Sequence, residues 1–374
     1  MTSLSMTISE ARSNKTPFTS TIMHRLEVNS IDSGGTLLFS DSPEYVKENG
    51  ILYSDQVSGN CRVLFYHLNE SSVNKRLAVI VENVSDKFNT VDITRGVMSE
   101  PSADFLKVGK RVQTQYMTQA YHKSLYMLKG DKKLLDEDIS TYLIKPGQLA
   151  YGIFDFYAAH PVRVSVMMYP QAADPLRYIS MAKVLDKDEQ RLRGTFKGMN
   201  RTLTTSKTYN PETDGIMYVM LADNVNDTYK SGIDATDGSS VVNFGNYGIN
   251  YIINLRTTGN SRICLTPLGG VYAGAMRAFY NNSNRVIETP PNAVFFGDKT
   301  PKEPESVKKA REEGLSLLTN HTELAELVSS LVKSVLNIVH LELPTFLSTL
   351  SLCPLIDKLK EGDFYGDFSP TANY

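Results

Sequence analysis

The chain has 374 residues, of which 41% are hydrophobic and 21% charged, and its net charge is −2. This length has room for two or three domains of roughly 100–200 residues each, and the composition excludes a disordered chain. A balance so close to neutral provides no global basic field, so nucleic acid and anionic lipid are not expected partners.

Charge is unevenly spread. Residues 301–374 hold 7 Lys/Arg against 11 Asp/Glu, whereas residues 1–300 hold 32 against 30. The shift coincides with a change of texture and marks a boundary near residue 300. Cys61, Cys264 and Cys353 lie far apart with no C-x-x-C pair. That spacing argues against a cysteine zinc site and a dense disulfide framework, and favours buried free thiols. The first 23 residues read as a flexible segment without the apolar core of a signal peptide. No run of eighteen apolar residues exists to span a membrane as a helix. Taken literally, the chain is cytoplasmic if Met1 is the true start, and extracellular or surface-bound if a leader has been removed.

From residue 24 the texture is short strands with turn punctuation. In "CRVLFYHLN" (61–69), Val63, Phe65 and His67 alternate with Leu64, Tyr66 and Leu68, the period-2 signature of a strand. "RLAVIVENV" (76–84) follows a polar "ESSVNK" turn and reads as its hairpin partner. "NTVDITRGV" (89–97) is a third strand. A helix near 102–121 is predicted from Phe105, Val108, Val112, Tyr116 and Ala120, spaced by three and four, with Ser102 as its cap. Strands then resume in "SLYMLKG", in "TYLIKPGQLAYGIFDFYA" with its Pro146-Gly147 turn, and in "VRVSVMMYP". These elements suggest an antiparallel β-sandwich over residues 24–170.

Residues 171–192 read as a connector with a helical turn or two. A second sandwich is expected over 193–298, with Gly259-Asn260 as a tight turn between two of its strands. Both sandwiches are Ig-like or jelly-roll-like in pattern, so the fold class is mainly β. Residues 299–374 are expected to form a helical C-terminal segment. There Leu324, Leu327, Val328, Leu331, Val335 and Val339 form one apolar stripe capped by Thr322. Such a stripe must be covered, so self-association through 322–359 is an expectation.

The common catalytic signatures are absent. No G-x-S-x-G, H-E-x-x-H or phosphate-binding loop occurs, and the six histidines are scattered singly. On its strand, His67 faces the same way as Val63 and Phe65, which suits a satisfied core histidine. Glu82 and Asp155 both lie in strand-like runs, and nothing in the sequence places them across a cleft as a glycosidase needs.

The densest loop is "GIDATDGSSVVNFGNYG" (232–248). With the preceding "ADNVNDTYKSGID" it gathers Asp223, Asp227, Asp234 and Asp237, oxygen ligands of the kind calcium takes. Their spacing matches no EF-hand, and Asp and Asn also favour turns by bonding their own backbone. Turn chemistry is the leading reading and calcium the lesser one; no other cofactor is expected. Phe244, Tyr247, Tyr251 and Tyr272 cluster among glycines and could form a shallow platform for a sugar. The absence of tryptophan counts against a typical carbohydrate-binding face.

Several stretches taken together, "VLFYHLNESSVNKRLAVIVEN", "IKPGQLAYGIFDF", "VRVSVMM", "RLRGTF", "GIDATDG", "NFGNYGINYIINL" and "LGGVYAGAM", carry a resemblance. They resemble a β-rich region of secreted or surface proteins of Gram-positive bacteria labelled copper amine oxidase-like. The likeness covers roughly residues 24–280 and implies an extracellular, wall-associated protein. It does not imply oxidase chemistry, because Asn246-Tyr247 is followed by Gly248 and no histidine lies between 161 and 320. The leading expectation is therefore a non-enzymatic surface or extracellular protein that binds a glycan or another protein. The alternatives are a carbohydrate-active hydrolase with an unrecognised carboxylate pair and a structural virion or filament subunit.

Overall fold

The computed structural model describes residues 21–215, 217–258, 261–267, 271–280, 283–288, 294–295, 326–327, 337–344, 348–354 and 368–370. The chain is mainly β. It divides into two compact units. One comprises Asp32–Arg201 with Tyr229–Asn250, and the other comprises 1–31, 202–228 and 251–374.

The first unit is organised by two exceptionally long strands, Gly50–Asn69 and Leu149–Pro170. They pair antiparallel from Leu68↔Leu149 to Gly50↔Met168, with register shifts near Ala158/Val162 and Val166/Met167. Strand Leu149–Pro170 has different partners along its other edge. Strand Asn89–Met98 pairs with its 152–158 half, and Lys75–Asn83 pairs with its 162–170 half. This changes the reading of the "ESSVNK" turn. The segments 61–69 and 76–84 are not a hairpin, because the long strand runs between them.

Chain length then dictates the shape of the ribbon. Asn69 lies beside residue 148 and Lys75 pairs with Pro170. These points would be roughly 70 Å apart along a straight 22-residue strand. Five linking residues reach only about 20 Å. The two-stranded ribbon must therefore fold over at its bulges, and its halves enclose a common core. Val63, Phe65, Phe154 and Phe156 of one half meet Leu52, Val79, Val81, Val164 and Val166 of the other.

Two loops bridge the halves with the same device. Asn69 Nδ2 donates to Val73 O and Ile144 O, both at 2.8 Å, while its Oδ1 accepts from Ser71 N–H and Oγ–H. Asn83 repeats the pattern with Lys87 O, Met127 O and Ser85. In both loops a buried carboxamide satisfies backbone groups that leave the sheet ladder.

Around this core, strand Thr36–Ser40 pairs parallel with Gly50–Asn69 and antiparallel with Arg193–Lys197. Lys230–Asp234 and Ser239–Asn243 extend the sheet beyond it. The helix forms over Phe105–Thr118 and buries Val108, Val112, Tyr116 and Met117, each worth about 1.5–3 kcal/mol. Its cap is Asp104, whose Oδ1 accepts from Lys107 N at 3.0 Å, rather than Ser102. Ser102 instead accepts from Asp104 N at 3.1 Å, one step further out. The connector contains one short helix, Pro175–Tyr178.

In the second unit, Met217–Leu221 and Ser261–Pro267 both flank Ser348–Pro354. Asn250–Thr257 belongs to a second sheet that also contains Asn337–Pro344 and Ala275–Tyr280. The described residues beyond 299 are thus strands. Val339 lies in Asn337–Pro344, where Leu341 and Leu343 are fully buried and Glu342 less so. That alternation has period 2, so the expected helical stripe does not extend into these residues. Leu327 of the expected stripe likewise lies in a strand, Glu326–Leu327, paired with Ile263. Leu324, Val328, Leu331 and Val335, the first 20 residues and the Gly259-Asn260 turn lie outside the described residues.

Candidate functional site

Strand alternation in the first unit sorts side chains into an inner and an outer face. The inner face carries Leu38, Val63, Phe65, His67 and Phe154. The outer face of the same three strands carries Leu37, Phe39 and Asp41, then Arg62, Leu64, Tyr66 and Leu68, then Leu149, Tyr151, Ile153 and Asp155. A sheet apolar on both faces must be covered on both, and here different elements cover different parts of the outer face.

The helix covers one end. Arg62, only 2% exposed, pairs with Asp155 at 2.6 and 2.9 Å. The Tyr116 hydroxyl donates to Asp155 at 2.7 Å, and the Arg95 guanidinium lies 4.8 Å from the centre of the Tyr116 ring. The remaining Arg62 donors reach Met199 O at 2.7 Å and Gly248 O at 3.1 Å. This charge is thus fully engaged in holding the helix and the loops over the sheet.

The turn at 243–248 covers a second part. Asn243 Nδ2 donates to Tyr247 O and its Oδ1 accepts from Tyr247 N, both at 2.8 Å. Gly248 has φ +77°, and an added Cβ would meet Leu37 at 3.0 Å and Leu64 at 3.3 Å, so only glycine lets the turn lie this close. The turn displays Phe244 (57% exposed) and Tyr247 (44%) at the surface. Tyr247 stacks on Phe39 at 6.2 Å, and Phe244 meets Tyr229 edge-on at 5.8 Å.

Between these covers most of the outer face is still buried, with Leu64 6%, Leu68 7% and Tyr151 8% exposed, and only Tyr66 is half-buried. Tyr66 lies opposite Tyr151 in register, with ring centres 5.6 Å apart. Tyr45, 48% exposed, pairs beside Leu68. The loop after Ser40 brings acidic groups to the same place. Leu68 N donates to Glu44 O at 2.7 Å, and Asp41 N donates to Leu192 O at 3.1 Å. Asp188 accepts from Ser42 Oγ and Glu44 N, both at 2.8 Å. Burial pushes the Asp41 carboxyl well above the usual carboxylate range, and Glu44 and Asp188 add to the shift. Burial and then Asp188 raise Glu44. The Glu44 charge is the main reason that Tyr45 titrates above its ordinary value, and it also contributes at Tyr66 after burial. The result is a tyrosine-lined acidic patch.

Of the expected platform, Phe244 and Tyr247 belong to this surface. Tyr251 does not, because its ring is fully buried and its hydroxyl donates to Asp227. Tyr272 lies in the short strand Val271–Tyr272 of the other unit. Tyr45, Tyr66, Tyr151, Asp41 and Glu44 were not singled out from the sequence. The available signal was "LFYHL", whose outward-facing Leu64, Tyr66 and Leu68 are as apolar as its core-facing set.

The four candidate calcium ligands each have protein partners. Asp223 Oδ1 accepts from the backbone of Val225, Asn226 and Asp227. Asp227 accepts from Ala222 N and Tyr251. Asp234 holds Arg193 at 2.9 Å and closes the 234–239 hairpin turn through Thr236. Burial would raise Asp234, but bonds from Thr236 and Arg193 outweigh it and hold the carboxyl below its ordinary value. Asp237 accepts from Ser239 N and Oγ and pairs with Lys187 at 2.6 Å. Among the described residues, no three His, Cys, Asp or Glu side chains gather as a metal-ligating group.

Glu82 pairs with Lys132 at 3.4 Å and Arg163 at 3.2 Å, on the opposite half of the ribbon from Asp155. No protein-family model matches the chain, and no curated protein matches it.

Proposed function

We propose that the chain is a non-enzymatic β-sandwich protein, working outside the cell or at its surface, that binds a glycan through the tyrosine face. The observation that carries this reading is the exposure of Tyr45 and Tyr247, at 48% and 44%, beside the Tyr66–Tyr151 pair and a hydrogen-bonding acidic loop. Aromatic faces stack on the apolar face of a pyranose, and neighbouring carboxylates accept from its hydroxyls. The fold-over ribbon is the first sandwich in this reading, and the two sheets of the other unit make the second. The resemblance to secreted Gram-positive surface proteins supports the extracellular setting. Glu82 and Asp155, the pair a hydrolase reading would use, are each engaged by cationic partners.

An oligosaccharide array probed with the wild-type chain and with a Tyr45→Ala/Tyr247→Ala variant tests the reading. Both side chains are partly exposed, so the variant should keep its fold, which circular dichroism checks. We expect a defined set of glycans to bind the wild type and to weaken by about tenfold or more in the variant. Binding by neither protein, or equally by both, would overturn the proposal.

A further inference from the structure

Strand Lys123–Met127 ends one half of the ribbon sheet. It pairs antiparallel with Asn89–Met98, from Asn89↔Met127 to Ile93↔Lys123, and among the described residues no strand pairs with its other edge. Alternate residues of such a strand turn their N–H and C=O groups outward, which makes it a template for a further strand. Edges are usually guarded by lysine, proline or a bulge. Lys132–Leu134, an end strand in the other half, shows that protection, with Lys132 and Lys133 among its three residues. Lys123–Met127 does not. It has no proline, its register is unbroken, and its single charge, Lys123, is bound to Glu137.

The face beside this edge is apolar instead. Leu125 and Met127 are buried, so Tyr126 points outward, and Leu128 follows just past the strand. Phe88 stacks on Tyr126 with ring centres 6.3 Å apart, and Phe88, Tyr126 and Leu128 are 58%, 60% and 64% exposed. Exposed apolar clusters of this kind mark protein interfaces.

We propose that Lys123–Met127 joins two copies of this chain edge to edge, as one continuous antiparallel sheet about a two-fold axis at Leu125. The strand's own sequence is what selects a second copy as the occupant. In that register Lys123 lies opposite Met127 of the second copy, Ser124 opposite Tyr126, and Leu125 opposite Leu125. No like charges meet, because the one charged residue of the strand faces a methionine. The two Tyr126 residues become diagonal neighbours about 7–8 Å apart, within reach of aromatic side chains. Each stays stacked on its own Phe88, so the outer face gains a run of four rings across the junction. A two-fold pairing of this kind uses both edges at once and closes as a dimer rather than growing into a fibre. A five-residue strand and three exposed side chains on each side cover roughly 1,000 Å² in total, the low end of specific interfaces, so the dimer is a weak one. The inference is independent of the glycan-binding reading.

Sedimentation velocity of the full chain between about 1 μM and about 500 μM, with hydrogen–deuterium exchange at both ends of that range, tests this. We expect monomer at the low end and dimer at the high end, with amides in 123–127 gaining protection as the dimer forms. Tyr126→Lys, which sets two like charges diagonally across the junction, should weaken dimerisation by about tenfold or more. Phe88→Ala should weaken it less. Both side chains are exposed, so both variants should keep the wild-type circular dichroism, and Tyr45→Ala/Tyr247→Ala should dimerise as the wild type does. A monomer at every concentration would overturn the proposal, whether 123–127 exchanges fast or is already protected by another segment of the same chain. A dimer that leaves exchange at 123–127 unchanged, or that survives Tyr126→Lys undiminished, would overturn it in favour of another surface.

Discussion

His67 offers a quantitative test of the packing at the inner face. Its ring is fully buried, with Ser40 Oγ at 2.8 Å from Nε2 and Pro43 O at 2.8 Å from Nδ1. A carbonyl can only accept, so Nδ1 carries the proton and Nε2 accepts from Ser40. That arrangement uses the neutral imidazole, and burial pushes the pKa down from 6.5 to about 4. The folded-state value lies below the unfolded one, so between these pH values only the unfolded chain takes up the proton. Stability contributed by His67 is therefore full above pH 6.5 and is lost as the pH falls toward 4. Linkage puts the loss at about 2 kcal/mol between pH 7.5 and pH 5, growing to about 3 kcal/mol by pH 4. Asp41 and Glu44 act in the opposite sense, because their raised pKa values make protonation favour the folded state. The assay must therefore isolate His67. Urea unfolding of wild type and His67→Gln at both pH values does so, because the acidic groups cancel in the difference. We expect the stability gap between the two proteins to narrow by about 2 kcal/mol at pH 5. A gap independent of pH would refute the buried neutral imidazole.

Three further outcomes follow from the same geometry. Asp155→Asn strips the charge partner from a guanidinium only 2% exposed and should cost about 3–5 kcal/mol, read as a lowered urea midpoint. A loss under 1 kcal/mol would mean that Arg62 is solvated. Asn83→Ala leaves Lys87 O and Met127 O without their donor and should cost about 1–3 kcal/mol, with faster amide exchange at 84–88 as the local signature. Gly248→Ala forces a side chain into φ +77° and against Leu37, and should cost about 1–3 kcal/mol by thermal melting while leaving Arg62 buried.

Much of the first unit is legible in sequence because period-2 alternation survives in each strand. The pairing of those strands is not. "ESSVNK" has the composition of a hairpin turn, and only the length of Leu149–Pro170 and its two successive partners make it a bridge between ribbon halves. The helix is visible from its spacing, but its cap shifts by two residues because both Ser102 and Asp104 can accept an N–H. Near the C-terminus, Val339, Leu341 and Leu343 satisfy a strand, while Val335 and Val339 satisfy a helix, so a short apolar run is ambiguous. In the functional loop, Phe244 and Tyr247 stood out by local density. Asp41, Tyr66 and Tyr151 reach the same surface from three separate strands or their ends, and register between distant strands leaves no local mark.

The location of the binding face is tested most directly by hydrogen–deuterium exchange on the chain with and without a glycan from the array. Protection is expected at 41–46, 64–69, 149–152 and 243–248, the backbone that carries the tyrosines and the acidic loop. Protection confined to another surface, such as that of the exposed Phe88–Tyr126 pair, would contradict the account.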